Sequence, residues 1–332
     1  MLLISKDKSF LLKGVVIIMM VFLHLFNGNH TDLCINLLYV GDEPLAKWLS
    51  HACGPVGFFL LFSGYGIAYT YDKKGVTFLQ QFRRILKLYI HYWIVLAVFL
   101  SIGWYMYPAR YPDSWSRLLL NMTGWKTDYN FEMWFLFPYS LVSLTSRYII
   151  RCIEKSGILF SVIVTAVINF GACYVISRYY STFLKDYPLV SLMVVYLQFL
   201  YPFTVGVAFY RSRFQLNRQL PTWLVLMIMI LLVALVATID ISVTYILYVP
   251  LLVYLLCHIR YPNWMKNVLM ELGRKSMPIW MIHTWYCNYL FQEQVYSLKY
   301  PVFILGGVIV ISYLTSIPVL WTAKKCITAL KI

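Results

Sequence analysis

Charge is what this sequence has least of. Asp, Glu, Lys and Arg make up only 12% of its 332 residues, and just 13 of these are acidic. A soluble domain carries about 25%, so an ordinary water-facing surface is excluded. Cysteine is sparse too: seven residues, at positions 34, 53, 152, 173, 257, 287 and 326, with no C-x-x-C or other metal-ligand spacing. No metal is expected. There is no internal repeat and no low-complexity segment, so residues 1–332 read as a single domain without a separate soluble one. The first apolar run is followed by Asn27-Gly28-Asn29-His30, where a cleaved leader would show small residues, so no cleavable signal peptide is expected.

What is present is apolar. Hydrophobic residues reach 61%, and the mean hydropathy is +0.70. Runs long enough to cross a bilayer recur at roughly 10–27, 52–71, 88–107, 132–150, 158–177, 190–210, 221–238, 242–259, 277–296 and 301–323. The fold class expected is therefore all-α, a polytopic membrane protein with about ten transmembrane helices. Orientation follows from Lys and Arg, which collect in cytoplasmic segments. With the N-terminus inside, 21 of the 28 fall there, among them Arg211, Arg213 and Arg218, and seven fall outside. Both termini are thus expected in the cytoplasm. The net charge of +15 then reports topology, and no nucleic-acid partner is expected. The 28 Tyr and 11 Trp suit interfacial belts and an aromatic interior in contact with membrane lipids.

Three segments interrupt the spans. The external segment 28–51 is long enough for an interfacial helix, and a second external segment, 108–131, carries Trp115, Arg117 and Trp125. Trp264 to Leu272 reads as an amphipathic helix lying on the inner surface and ended by Gly273. Cys34 and Cys53 both fall near the first external segment, where an oxidising compartment would let them pair.

Ionisable groups inside spans are expensive and mark function. Lys13 and His24 sit in the first run with ten residues between them. On a helix eleven steps make about three turns plus about 20°, so the two share a face, with a rise of about 16 Å. Arg83, Arg84 and Lys87 crowd the inner mouth of the third run. They are either topology anchors or a site for a polyanion such as a nucleotide phosphate, which guanidinium forks suit. Ser63-Gly64 in the second run admits a close helix approach, or Ser63 lines a channel. Glu132 opens the fourth run at a depth similar to that of His24; it is an interfacial carboxylate or one that orients the imidazole. Ser276 or a neighbour suits a cap for the ninth run, with Pro278 in its first turn, and His283 follows about two turns in, as a packing residue or a second functional group.

Taken together these stretches resemble the acyltransferase-3 family of integral membrane acyltransferases. The family's basic residue, ten residues and His match Lys13 and His24. Its phenylalanine-rich Ser-Gly stretch matches Phe58 to Tyr65, and its Arg-Arg segment matches Arg83, Arg84 and Lys87. Its Trp-Phe-Leu matches Trp134 to Leu136, and its late Gly-x-x-Ser…His matches Gly273, Ser276 and His283. Two positions depart: the family often has Arg where Lys87 stands and Pro where Ile90 stands. The resemblance implies transfer of an acyl group, usually acetyl, from cytoplasmic acyl-CoA to a hydroxyl of a carbohydrate or lipid-linked glycan. It implies His24 as the catalytic residue, either a general base or a brief carrier of the acyl group, and Glu132, by its depth, is the carboxylate expected to orient it. Lys13, Arg83, Arg84 and Lys87 would hold the acetyl-CoA co-substrate, and Ser63 and His283 would lie along the substrate channel. A multi-pass protein of the bacterial inner membrane is expected, with homodimerisation left open. A transporter or flippase for a lipid-linked glycan is the rival class, and it commonly shows an inverted repeat that this chain lacks. A glycan polymerase would favour larger external loops.

Overall fold

A computed structural model describes residues 4–212 and 220–332; Arg213 and Arg218 lie outside the described residues. The chain is a bundle of helices. In order they are α1 (Lys6–Phe26), α2 (Leu45–Ser50), α3 (Pro55–Lys74), α4 (Phe78–Met106), α5 (Trp115–Met122), α6 (Leu136–Ser156) and α7 (Ile158–Tyr179). Then come α8 (Pro188–Arg211), α9 (Thr222–Ile239), α10 (Tyr245–Leu256), α11 (Asn263–Arg274), α12 (Ser276–Thr284), α13 (Gln292–Tyr296) and α14 (Pro301–Ala329). The strands among the described residues are a two-residue ladder, Tyr39–Val40 against Glu43–Pro44.

Each of the ten expected runs contains a helix, but not every helix is a long span. Among the described residues seven helical stretches are long and apolar enough to cross a membrane. The other three runs differ for local reasons. Helix α6 reaches 21 residues but carries Arg147, Arg151, Glu154 and Lys155 toward its end. Helix α10 has only 12 residues after a short 3-10 turn, Ser242–Thr244. The ninth run breaks into α12, a π-helical turn at Trp285–Leu290, and α13. Helix α4 begins ten residues before the expected third span, because Thr77 and Gln80 form a capping box there.

Helix α1 is wedged between two apolar clusters. Ile17, Val21 and Leu25 join one with Phe99, Met281 and Ile304, and Leu12 and Val16 join the other with Phe58, Val205 and Tyr248. Two helix crossings are close enough to need glycine. A side chain at Gly14 would strike the Leu269 backbone, and one at Gly273 would strike the Phe10 carbonyl, so α1 and α11 touch backbone to backbone. Gly64 meets Phe203 and Gly206 meets Leu61 in the same way between α3 and α8. Gly273 therefore does not end the amphipathic helix: α11 runs on through Arg274, and the glycine is there for the crossing. The partner for part of that amphipathic face is α1. Ser276 opens α12 without capping it, and its hydroxyl donates back to the Gly273 carbonyl at 2.9 Å.

Outward faces stay apolar. Only 17% of the most apolar window of α9 is buried, against 61% for the stretch ending in α3. Leu159, Phe170, Ile230, Leu235, Val302 and Leu314 are all exposed, as a lipid-facing surface requires. Cys34 and Cys53 are both free thiols.

Candidate active site

Helix α1 starts cleanly, with the Ser5 hydroxyl accepting from the Lys8 amide at 3.2 Å. From there the helix runs unbroken to Phe26, and a stripe comprising Lys6, Phe10, Lys13, Met20, Leu23 and His24 faces a cavity of about 970 Å³. The stripe follows the helical period, and it places Lys13 and His24 about 16 Å apart along one wall. Facing walls come from Phe59 and Ser63 on α3, Arg84, Lys87 and His91 on α4, Trp134 in the 3-10 turn that precedes α6, and Tyr139 on α6. Gly273 and Arg274 of α11, with Met277 and Trp280 of α12, close the remaining side.

One end of this cavity is cationic. Lys6, Lys13, Arg84, Lys87 and Arg274 all line it. Lys13 and Arg84 lie close enough for each charge to act on the other. Cations so placed repel one another, and a polyanion between them turns that repulsion into attraction. Arg84 is oriented by hydroxyls: its Nη2 donates to Tyr139 at 2.9 Å and to Ser63 at 3.4 Å. Lys13 lies over the Phe10 ring, 5.8 Å from its centroid. Arg83, one residue from Arg84, is exposed and off the cavity wall.

The other end carries an imidazole and a carboxylate. His24 lines the wall, and neither of its ring nitrogens meets a protein hydrogen-bond partner among the described residues. Its ring lies against that of His283, with centroids 5.2 Å apart. His283 is not on the cavity wall; it is wholly buried behind His24. Glu132, in the 3-10 turn Phe131–Phe135, lines the cavity as well. Its carboxylate accepts from Asn288 Nδ2 at 2.9 Å and from the Tyr289 hydroxyl at 2.6 Å. With its amide nitrogen turned toward Glu132, Asn130 donates to the same carboxylate at 3.1 Å and accepts from Trp285 Nε1 at 3.0 Å. Among the described residues no ion pair or hydrogen bond joins Glu132 to His24.

The π-helical turn explains this cluster. A widened turn shifts the phase of the side chains after it, and such turns often occur at functional sites. Here it covers Trp285 to Leu290 and so includes the Asn288 and Tyr289 that hold Glu132. Sequence reasoning missed these two residues, Asn130 and Tyr139, and the cations Lys6 and Arg274. Arg274 was the most accessible of them, since it falls inside the Gly273 to Ser276 motif. Asn288 and Tyr289 depend on an i to i+5 turn that the apolar pattern does not announce.

The arrangement has the parts of a group-transfer site: a cationic mouth, a cavity of ligand size, and an imidazole and a carboxylate that line the same cavity. A family model described as an acyltransferase domain matches residues 11–321, nearly the whole chain. No curated protein and no solved structure matches it.

Proposed function

The chain belongs to the acyltransferase-3 family, and on that premise we propose that this multi-pass membrane acyltransferase moves an acetyl group from acetyl-CoA to a hydroxyl of a carbohydrate or lipid-linked glycan. The observation that carries the reading is the single cavity lined by both Arg84 and His24. In this reading the nucleotide phosphates of the donor meet Lys13, Arg84, Lys87 and Arg274 at the cationic end. Arg83 contacts whatever part of the nucleotide stays outside. The pantetheine arm runs along α1 past Ser63, over the roughly 16 Å that separate Lys13 from His24.

His24 acts as the general base. It removes the proton of the acceptor hydroxyl as that oxygen attacks the thioester carbonyl. The carbon–sulfur bond breaks, and the imidazolium returns the proton to the departing thiolate, giving the ester and free CoA. Glu132 sits on the same wall, and its carboxylate is close enough for its charge to act on His283. It offsets the positive charge that develops on His24 during the transfer. The acceptor docks from the outer side, against segments 28–51 and 108–131, in the inner membrane of a bacterium.

The test is acetyl transfer from radiolabelled acetyl-CoA by purified protein in vesicles that contain glycan acceptors. Wild type should label the glycan, and His24→Ala should lose at least about 100-fold in rate while remaining folded. Full activity in His24→Ala overturns the mechanism. Movement of unlabelled glycan across the vesicle without any transfer of label would assign the protein to the transporters instead.

A further inference from the structure

The base role of His24 requires one nitrogen with a lone pair facing the cavity, and so requires a fixed tautomer. A histidine used this way is normally held by a hydrogen bond to its other ring nitrogen. Glu132 does not supply one: its carboxylate is held by Asn288, Tyr289 and Asn130, and among the described residues no hydrogen bond joins it to His24. What lies against the His24 ring is His283.

His283 has an unusual hydrogen-bond state. Its Nδ1 lies 3.0 Å from the Ile279 carbonyl and 2.9 Å from the Trp280 carbonyl. Carbonyls only accept, so Nδ1 carries the proton. The neutral ring then has a lone pair on Nε2. That atom is buried and meets no hydrogen-bond partner among the described residues. The side chain itself is 0% exposed. An unpaired buried acceptor is a standing penalty that Phe or Leu would avoid at this place. Packing therefore does not account for a histidine here. The backbone of α12 has spent one nitrogen on two carbonyls, and the geometry leaves the other next to an imidazole that has partners of its own to find.

We propose that His283 is the positioning residue for His24: in the complex with substrate its Nε2 accepts the N–H of His24, and this leaves the opposite nitrogen of His24 as the base facing the cavity. The ring spacing of 5.2 Å puts the two within a small side-chain adjustment of that bond. Hydrogen bonds of this kind commonly tighten only when the reacting complex forms. Helix α12 is well placed to couple the two events. Met277 and Trp280 face the donor cavity, and His283 follows Trp280 on the same helical face. The next residue, Thr284, lies within 3.1 Å of the Asn130 amide that borders Glu132. The inference rests on the acyltransferase reading of this site.

Three variants separate positioning from packing. His283→Gln keeps an acceptor near the Nε2 position. His283→Asn keeps only a donor near the Nδ1 position. His283→Phe keeps the ring volume and no polar atom. Each is purified, checked for folding by size exclusion in detergent, and assayed for kcat and for KM toward acetyl-CoA. The expected result is a kcat loss of about 100-fold for Phe and for Asn, with Gln within about tenfold of wild type. KM should stay within about twofold throughout. Gln no better than Phe, or Phe with wild-type kcat, overturns the proposal. His24→Ala in the same assay tells the two failures apart. If it is fully active, the reading of the whole site has failed. If it is inactive while the His283 variants all behave alike, only the positioning role has failed.

Discussion

The guanidinium of Arg84 donates to the hydroxyl of Tyr139 at 2.9 Å, across 55 positions of sequence. That bond ties α4 to α6 and, with the longer contact to Ser63, points one specific arginine into the cavity. A preoriented fork loses less freedom when it binds an anion.

Arg84→Ala should therefore raise KM for acetyl-CoA by about tenfold or more, the equivalent of one charge-assisted hydrogen bond of about 1.5–3 kcal/mol. Arg83→Ala should change it less than about twofold. Calorimetric titration with CoA checks both, and the Arg84 effect should shrink as salt is raised. Equal effects from the two arginines would remove the distinction.

Glu132→Gln replaces an acceptor by a group with its own donors, facing the donors of Asn288, Tyr289 and Asn130. Both the charge and part of the network are lost. We expect kcat to fall at least about tenfold with KM for acetyl-CoA little changed, since the cationic mouth lies at the other end. Tyr289→Phe, which removes one donor and keeps the charge, should cost less than Glu132→Gln. Steady-state kinetics on the pair gives the ranking.

Gly64→Ala drives a methyl group into the Phe203 backbone, where neither helix yields cheaply. Overpacking of this sort destabilises by about 1–3 kcal/mol. Gly171→Ala on α7 meets nothing and should be neutral, or stabilising by up to about 1 kcal/mol. Thermal unfolding in detergent, followed by intrinsic fluorescence, compares the two. A stable Gly64→Ala would mean that the α3–α8 crossing can open.

In segment 108–131, Arg117 bonds Asp113 at 2.7 Å, and the Tyr129 hydroxyl donates to the same carboxyl at 3.2 Å. The hydrogen bond from Arg117 holds the Asp113 carboxyl below its usual range. A lowered value means that the pair contributes stability above the unfolded value of about 4 and loses it as pH falls through the folded one. Hydrogen exchange in α5 should rise below about pH 4 beyond its intrinsic trend. Arg117→Ala should abolish that step.

The sequence made the bundle legible because each apolar run had to satisfy its own backbone hydrogen bonds, and in lipid only a helix does so. The alignment of Lys13 with His24 followed from helix periodicity alone, and both residues line one cavity. What stayed hidden depends on tertiary contact or irregular backbone. Arg83 and Arg84 are neighbours in sequence with equal chemistry, and only the packing of Tyr139 and Ser63 separates them. The partners of Glu132 come from a π-helical turn that no period reveals. Gly273 looked like a helix stop because its role, contact with the Phe10 backbone, belongs to a helix far away in the sequence.

That last contact bears on how the protein is made. Helix α1 leaves the ribosome well before α11 and α12, which pack beside Lys13 and His24 and follow only after roughly 250 more residues, or about 13 to 50 seconds of synthesis. Until then two of the costliest side chains in the chain wait in the bilayer without their final surroundings. The cavity that both residues line is thus among the last features to form. A nascent chain stopped after α10 would be threaded through the membrane and still hold no site.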